Sequence, residues 1–588
     1  MSASVRLLSA IGWLALVAAH AHAQCEEQHL RNPNTGANEE FGRSIEISGD
    51  VMVVGALEKK FLSVTLAGAY VFLRDKGGTP SDPVDDRWRF HQELVPAGLL
   101  EDDAYGRAVA FTEDRIVVSA TVKNGGSGAV IEFIRDQMGT PGEAIDDVWT
   151  EHGEVVAPVA LPARNFGTIV EMQNDLLLVN AFGAAGPVTK TDGAAYIYGL
   201  DDSGTPNDLS DDSWTFLESF VADQIAEVDI RTYSAIALSD DYLFLSERGS
   251  ADAGIAGGIV TVYRRDRSGT PTDASDDTFA EVQVLTGSDA ADGDLFGNSI
   301  SVDQDLLLVG APGRLAQKGG VYSFYLDTAG TPGDPSDDVW TEASILDSAY
   351  GPLAASSFGV TVELDGGTAL IAEANQLGTN LGPRFSVNHL DDGGTPSIFG
   401  DDFWVRDSEV GLLDSFVIVG SAGYGFAVAL DGRLFAVGAP LSTQGGFGGV
   451  LCYNLDTQLC APRSDISLSS GGTHDMNFNH GVQLPNKMVA VLGSATGTSP
   501  GLDFGGGLVL PLIHDPYFKL TLNQPNFSLF SGYRSVLDGV GRGRASLEVP
   551  EMSDPSLAGA TLWHAVLTYT PGGVVTSTSN AVALQLIP

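Results

Sequence analysis

Fourteen residues, DKGGTPSDPVDDRW from Asp75 to Trp88, recur five more times along the chain. The copies are DQMGTPGEAIDDVW from Asp136, DDSGTPNDLSDDSW from Asp201, DRSGTPTDASDDTF from Asp266, DTAGTPGDPSDDVW from Asp327 and DDGGTPSIFGDDFW from Asp391. Their Gly-Thr-Pro begins at Gly78, Gly139, Gly204, Gly269, Gly330 and Gly394, a period of 61 to 65 residues. Within each copy an Asp precedes the Gly by three, an Asp-Asp pair begins seven after it, and an aromatic closes the run. Self-similarity at such a period means a repeat architecture, in which each unit buries its apolar surface only by packing on its neighbours.

Each unit reads as four strands. The first follows an aromatic-Gly pair: Phe41-Gly42, Tyr105-Gly106, Phe166-Gly167, Phe296-Gly297, Phe358-Gly359 and Tyr424-Gly425. The second is a continuous apolar run such as VMVVGA from Val51, LLLVGAP from Leu306 or LFAVGAP from Leu434. Runs this apolar and this short suit strands covered on both faces. The third alternates, as in AYVFLRD from Ala69 and VYSFYLD from Val321. The fourth opens at the aromatic that ends the acidic stretch: Trp88, Trp149, Trp214, Phe279, Trp340 and Trp404. That recurring place predicts core-filling rings rather than sugar-stacking platforms.

FGNSISVDQDLLLVGAPG from Phe296, followed by GGVYSFY from Gly319, resembles the FG-GAP repeat of integrin α-chain β-propellers and of many secreted bacterial proteins. The resemblance covers residues 41–513. It implies an all-β fold, a β-propeller of four-stranded blades, usually seven. The alternating Asp-before-Gly calcium loop of integrins is absent from every unit, so no integrin calcium residue carries over.

Counting second strands gives eight, the eighth being MVAVLGSA from Met488 with GLVLPLI from Gly507 as its third strand. Eight blades are therefore expected, with seven as the alternative. The eighth unit lacks a fourth strand, and EEQHL (Glu26 to Leu30) is expected to fill that gap beside Gly507–Ile513, leaving no exposed sheet edge. The expected division is a signal peptide at 1–23, the propeller at 24–513 and a small β-sandwich at 514–588. In that last part KLTLNQ, FSLFSG, RASLEVP, LWHAVLTYTP and NAVALQLI read as alternating strands.

Residues 1–23 carry Arg6, a short apolar stretch from Ile11 to Ala19, and Ala21-His22-Ala23, the order of a signal peptide with cleavage after Ala23. No later stretch is apolar for the roughly 18 residues that a spanning helix needs. A net charge of −45 excludes phosphate-neutralising nucleic-acid binding and fits an exported, monomeric protein. Of three cysteines, Cys452 and Cys460 flank YNLDTQL, read as a hairpin, and are expected to form a disulfide in an oxidising compartment.

A hairpin needs two to five linking residues, whereas the acidic stretch supplies about a dozen, so something must hold it. Two readings stand. As calcium loops, the ligands would be Asp75, Asp82, Asp85 and Asp86; Asp136, Asp146 and Asp147; Asp201, Asp208, Asp211 and Asp212; Asp266, Asp273, Asp276 and Asp277; Asp327, Asp334, Asp337 and Asp338; and Asp391, Asp401 and Asp402. As self-capped loops, the same carboxylates accept from nearby backbone N–H groups. His474 and His480, near Asp475, read as a loop of structural or solvated polar residues rather than a zinc site. No catalytic motif is present: neither HExxH, nor a Gly-x-Ser-x-Gly elbow, nor a cysteine nucleophile with a placed His.

The links between second and third strands differ in every unit, so the expected recognition surface is the variable face, with an extracellular protein or glycan as partner. Lys59, Lys60, Lys190, Lys318 and Arg384 are its few cations. Binding is expected over an extracellular hydrolase or lyase, or a purely structural surface protein.

Overall fold

A computed structural model describes residues 28–588 except 34–39, 58–67, 77–85, 101, 139–145, 159–164, 182–193, 206–207, 222–233, 249–256, 268, 270–272, 329–334, 349–356, 374–383, 392–401, 412–426, 439–447, 456–458, 462–464, 481–483, 485–486, 506–507, 526 and 538–540. The signal-peptide expectation lies outside the described residues. The chain divides into two compact units, the larger comprising Glu26–Val405 and Asp414–Asn454, the smaller containing Leu455–Pro588.

Among the described residues the larger unit holds seven four-stranded antiparallel sheets. In the first, Glu40–Ser48, Val51–Leu57, Gly68–Asp75 and Arg87–Leu94 follow chain order. The next five repeat that meander. Their first strands, Tyr105–Thr112, Phe166–Gln173, Ile236–Leu238, Ser299–Asp303 and Phe358–Asp365, touch successively from Glu40–Ser48 onward. Val428–Asp431 of the seventh sheet touches both Phe358–Asp365 and Glu40–Ser48, so the ring closes. This is a β-propeller. As the apolar runs require, the second strands are its most buried elements, with Val51–Ala56, Arg115–Ala120 and Leu176–Ala181 all buried.

Glycines of the two repeat motifs meet across three of the blade boundaries. A Cβ on Gly310 would stand 2.1 Å from the carbonyl oxygen of Gly359, and one on Gly55 would stand 2.4 Å from that of Gly106. Gly359 and Gly106 adopt φ of +84° and +81°, which a side chain resists. Where serine replaces the first glycine its hydroxyl takes over, as Ser246 Oγ donates to the Gly297 carbonyl at 2.6 Å. The same contact closes the ring, because a Cβ on Gly438 would meet the Gly42 carbonyl at 2.0 Å.

The seventh sheet takes its outer strand from the N-terminus. Gln28–Leu30 pairs with Val450–Asn454, with Gln28 opposite Cys452 and Leu30 opposite Val450. The expected partner, Gly507–Ile513, is corrected. The Gln28 side chain also clamps the first blade, accepting from Trp88 N–H at 2.7 Å and donating to Trp88 O at 2.8 Å. Gln92 makes the same two bonds to Trp149, and Gln283 to Trp340. The N-terminal strand is thus a fourth strand in its interactions as well as its place. Trp88, Trp149 and Trp340 are buried, as their recurrence suggested.

The strands assigned to an eighth blade lie in the smaller unit, and the expected boundary at 513 is corrected accordingly. Met488–Ser494 pairs with Thr561–Tyr569 in a five-stranded sheet ordered Asp465–Ser467, Val575–Ile587, Thr561–Tyr569, Met488–Ser494 and Arg534–Val536. Val509–Leu510 forms a separate two-stranded ladder with Leu502–Asp503. A four-stranded sheet, Leu459–Cys460, Gly472–Asn479, Arg542–Val549 and Phe530–Ser531, completes a β-sandwich. Met476, Phe478, Val489, Val491, Leu547 and Val566 are among its core residues. KLTLNQ is largely helical, not a strand. Asp515 caps Pro516–Asn523 by accepting from Phe518 N–H at 2.7 Å, and Pro516 at the first helical position fixes φ for the turn. Cys452 and Cys460 are not the two arms of one hairpin: Cys452 pairs with Gln28, Cys460 with Asn477. The Cys460 side chain, and with it the disulfide, lies outside the described residues.

Candidate functional site

The acidic stretches are built from the backbone outward. Asp136 accepts from Met138 N–H and Asp201 from Ser203 N–H, both at 2.9 Å, so the opening Asp turns the chain at the strand end. Asp208 and Asp273 cap single 3-10 turns, Leu209–Asp211 and Ala274–Asp276, accepting from Ser210 N–H at 3.1 Å and Ser275 N–H at 2.9 Å. These serine contacts hold both carboxyls below their usual range. The threonine of Gly-Thr-Pro donates to the first Asp of the pair, Thr205 Oγ1 reaching Asp211 at 2.8 and 2.9 Å.

The Asp-Asp pair splits in role. Asp146, Asp211, Asp276 and Asp337 are exposed, whereas Asp86, Asp147, Asp212 and Asp277 are buried. Each buried one is anchored. Asp86 pairs with Arg74, Asp147 with Arg135 at 2.5 Å, and Asp277 with Arg265, all from the third strand of the same blade. Asp212 reaches Arg115 in the preceding blade, and the half-buried Asp338 accepts from Tyr242, also one blade back, at 3.0 Å. Burial raises the Asp212 and Asp277 carboxyls in spite of their arginines.

Asp75 forms a half-exposed ion pair with Arg89 at 2.6 Å, and Asp266, Asp327 and Asp391 end third strands. Asp82, Asp85, Asp334 and Asp401 lie outside the described residues, as do Lys59, Lys60, Lys190 and the side chain of Arg384. Lys318 is half-buried at the end of a tight turn. Among the described residues no three His, Cys, Asp or Glu side chains converge as metal ligands would. The carboxylates of the third and fourth loops meet serine, threonine and arginine, a set that fits self-capping.

A second cluster escaped sequence reasoning. Glu46, Glu171 and Glu363 occupy one register position on the first strands of blades 1, 3 and 6, opposite Val53, Leu178 and Leu370. Burial raises Glu171 to about 8 and lifts Glu46 and Glu363 well above the usual carboxylate range, with repulsion from Glu171 adding to both. One step along, Asp303 accepts from Gly366 N–H at 2.7 Å, Asp365 from Gly432 and Asp431 from Gly49, each latching the next blade. The signal was the Glu five residues after the aromatic in units 1, 3 and 6, hidden because the other blades have small residues there.

These glutamates favour the folded state while protonated, and that contribution fades as pH rises from near 4.5 through their raised values. Glu171→Gln is therefore expected to raise the unfolding midpoint of the larger unit at pH 9 and leave it nearly unchanged at pH 5. Equal shifts at both pH values in a thermal scan would remove this account.

The smaller unit gathers imidazoles. His474 lies in Gly472–Asn479 opposite Leu547, fully buried rather than solvated, and its ring is 5.5 Å from that of the equally buried His564. Tyr517 Oη and His564 Nε2 share a hydrogen bond of 2.8 Å. His480, nearly buried, bonds to Ser577 Oγ at 2.7 Å.

A family profile for the FG-GAP repeat matches residues 25–72 and 279–324. Among solved structures the chain is similar to the β-propeller domain of the Trilobed protease from Pyrococcus furiosus, described as having an open velcro topology. The two are 8% identical over 71% of this chain and 95% of that chain, with a TM-score of 0.34. No match to a curated protein is found. No helix among the described residues is long and apolar enough to cross a membrane. With FG-GAP repeats matched in its first blade and across its fourth and fifth, the closed ring of four-stranded sheets is an FG-GAP repeat β-propeller, and the smaller unit is a β-sandwich.

Proposed function

We propose that this is an exported binding protein whose rigid ring presents the links between second and third strands to an extracellular protein or glycan. The observation that carries the reading is the commitment of the acidic loops to the scaffold: their buried carboxylates tie strand to strand and blade to blade. Repeated, internally engaged loops serve the ring, which leaves recognition to the opposite, variable face. Two links on that face are described. Val122–Gly128 and Gly313–Lys318 turn tightly, with Asn124, Leu315, Ala316 and Gln317 at φ between 52° and 72°. Leu315 is exposed at the tip of the second. Non-glycine residues held there store backbone strain of the kind that clusters at binding surfaces.

The test is capture of the mature protein on arrays of glycans and extracellular proteins. Charge reversal at Lys190 and Lys318 is expected to abolish capture, whereas Asp337→Asn with Asp338→Asn changes stability only. Capture lost in the aspartate variant and kept in the lysine variant would place recognition on the acidic face. In the same reading, adding calcium to chelator-treated protein leaves the midpoint unchanged, and a rise of several degrees assigns the loops to calcium instead.

A further inference from the structure

The outer strands of the first five blades, Arg87–Leu94, Val148–Val155, Ser213–Val221, Thr278–Leu285 and Val339–Leu346, share one irregularity. In each, the pairing with the third strand shifts at a bulge. Beside it the outer strand places Phe90, Glu151, Phe216, Glu281 or Glu342 opposite Phe72, Phe133, Tyr198, Tyr263 or Phe324. Bulges re-aim side chains, and here the glutamates of blades 2 and 5 are aimed at the link that enters their own blade. Glu151 accepts from Ala97 N–H at 2.6 Å, and Glu342 from Ser288 N–H at 2.9 Å and Ser288 Oγ at 2.6 Å. In blades 1 and 3 the residue is phenylalanine, which has no such bond to offer. Its ring stands 47% exposed at Phe90 and 38% at Phe216.

Both rings are braced from behind. Phe90 meets Tyr70 and Phe72 edge-on, with ring centres 6.4 and 6.0 Å away, and both of those meet the buried Phe41. Phe216 meets Tyr196 and Tyr198 at 6.4 and 5.8 Å, and both of those meet the buried Phe166. A column of rings thus runs from the aromatic-Gly motif to the surface in blades 1 and 3. In blade 5 the same column, Phe296 to Tyr322 and Phe324, ends at Glu342 instead. A ring held this way gives up little freedom on being covered, so it is a pre-organised contact.

We infer that Phe90 and Phe216 are stacking platforms for the sugar rings of a neutral polysaccharide. Each is one apolar ring beside polar neighbours: Arg89, its side chain 71% exposed, and the half-buried Thr215. A single ring covers one pyranose face, whereas a stable protein partner needs about 800 Å² on each side. Sugar C–H groups carry a weakly positive edge that suits the negative face of an aromatic ring. The net charge of −45 opposes uronate or sulfated chains, which leaves neutral ones. Two like platforms on one rigid ring suit a repeating polymer, which gains by engaging both. Neither ring lies on a link between second and third strands, so the site stands apart from the variable-face reading.

Affinity electrophoresis of the full-length protein through gels holding β-glucan, galactomannan, dextran or polygalacturonate tests the platforms. At least one neutral polysaccharide is expected to retard the wild type, and polygalacturonate is not. Phe90→Glu and Phe216→Glu copy the residue of blades 2, 4 and 5, so the fold and its thermal midpoint are retained. Each weakens the retardation roughly three- to tenfold, as loss of one ring contact should, and together they abolish it. Should the glutamate variants fail to fold, Phe90→Leu with Phe216→Leu keeps an apolar contact, removes both rings and is expected to show the same loss. Charge reversal at Lys190 and Lys318 leaves the retardation unchanged. Retardation lost in that lysine variant and kept in the phenylalanine variants would assign the sugar to the variable face and overturn the platforms. No retardation by any of the neutral polysaccharides, stronger retardation by polygalacturonate, or equal retardation in wild type and a folded double variant overturns them as well.

Discussion

Replacing Arg115 with methionine is expected to lower the stability of the larger unit by about 3–5 kcal/mol at pH 8, the usual cost of stripping a buried ion cluster of one member. Arg115 is 4% exposed and lies between Glu132, at 2.6 Å, and Asp212, themselves 2% and 7% exposed. Glu132 also accepts from Trp214 Nε1 at 3.0 Å, so its oxygen is fixed toward the cluster. Without the guanidinium, two carboxylates would stay out of water facing each other. Asp212 already sits above its usual range, because burial outweighs its arginine, and losing the arginine would raise it further. The loss should therefore be smaller at pH 5 than at pH 8. Urea unfolding at the two pH values reads both effects. The triple change Arg115→Met, Glu132→Leu, Asp212→Asn should recover much of the loss, since apolar replacement of a whole buried cluster is often neutral. Removing Arg89, whose side chain is 71% exposed opposite Asp75, should cost less than about 0.5 kcal/mol. An Arg115→Met protein within about 1 kcal/mol of wild type at pH 8 would mean that water reaches the cluster.

The ring was legible because its period is written in residues that do structural work at every boundary. The aromatic-Gly and Gly-Ala-Pro motifs meet backbone to backbone, as at Gly310 and Gly359, where a Cβ would collide with a carbonyl oxygen. The closing strand was half legible. Gln28 and Leu30 match Gln92 and Leu94 of the first unit in spacing and burial, but a whole ring separates the strand from its partner. Met488–Ser494 misled for a physical reason: a short, fully buried apolar run looks the same in a blade and in a sandwich. The helix from Pro516 was hidden by the alternation of KLTLNQ, which capping by Asp515 overrides. Of the acidic stretches, spacing showed which aspartates recur but not which are buried. That depends on arginine or tyrosine contributed by a neighbouring strand or blade.

Acidification from pH 7 to pH 5 is expected to destabilise the smaller unit by about 4 kcal/mol while sparing the larger one. Burial lowers His564 to about 3, with the neighbouring His474 adding to the shift, and lowers His480 to about 4. Both imidazoles are therefore neutral in the folded unit throughout this range, whereas in the unfolded chain they take up protons near 6.5. Unfolding then binds two protons, so stability is fully present above 6.5 and falls by about 1.4 kcal/mol per proton for each pH unit below it. The surroundings give a charged ring little relief. His564 meets Tyr517, Tyr533 and His474, none of them an anion, and the Tyr517 hydroxyl already occupies its Nε2. The propeller glutamates act with the opposite sign, because they bind protons more tightly folded than unfolded. Segment-resolved hydrogen exchange distinguishes the two units. Amides of Thr561–Tyr569 should lose protection between pH 6.5 and 5 after correction for intrinsic rates, and those of Val51–Leu57 should keep it. His564→Gln, which leaves an amide to meet Tyr517, should halve the pH slope in the smaller unit, and His564→Gln with His480→Gln should flatten it. A slope unchanged in the double variant would trace the acid response to other groups, with Asp515 the first to examine, since hydrogen bonds from Phe518 and Ala495 hold its carboxyl low despite burial.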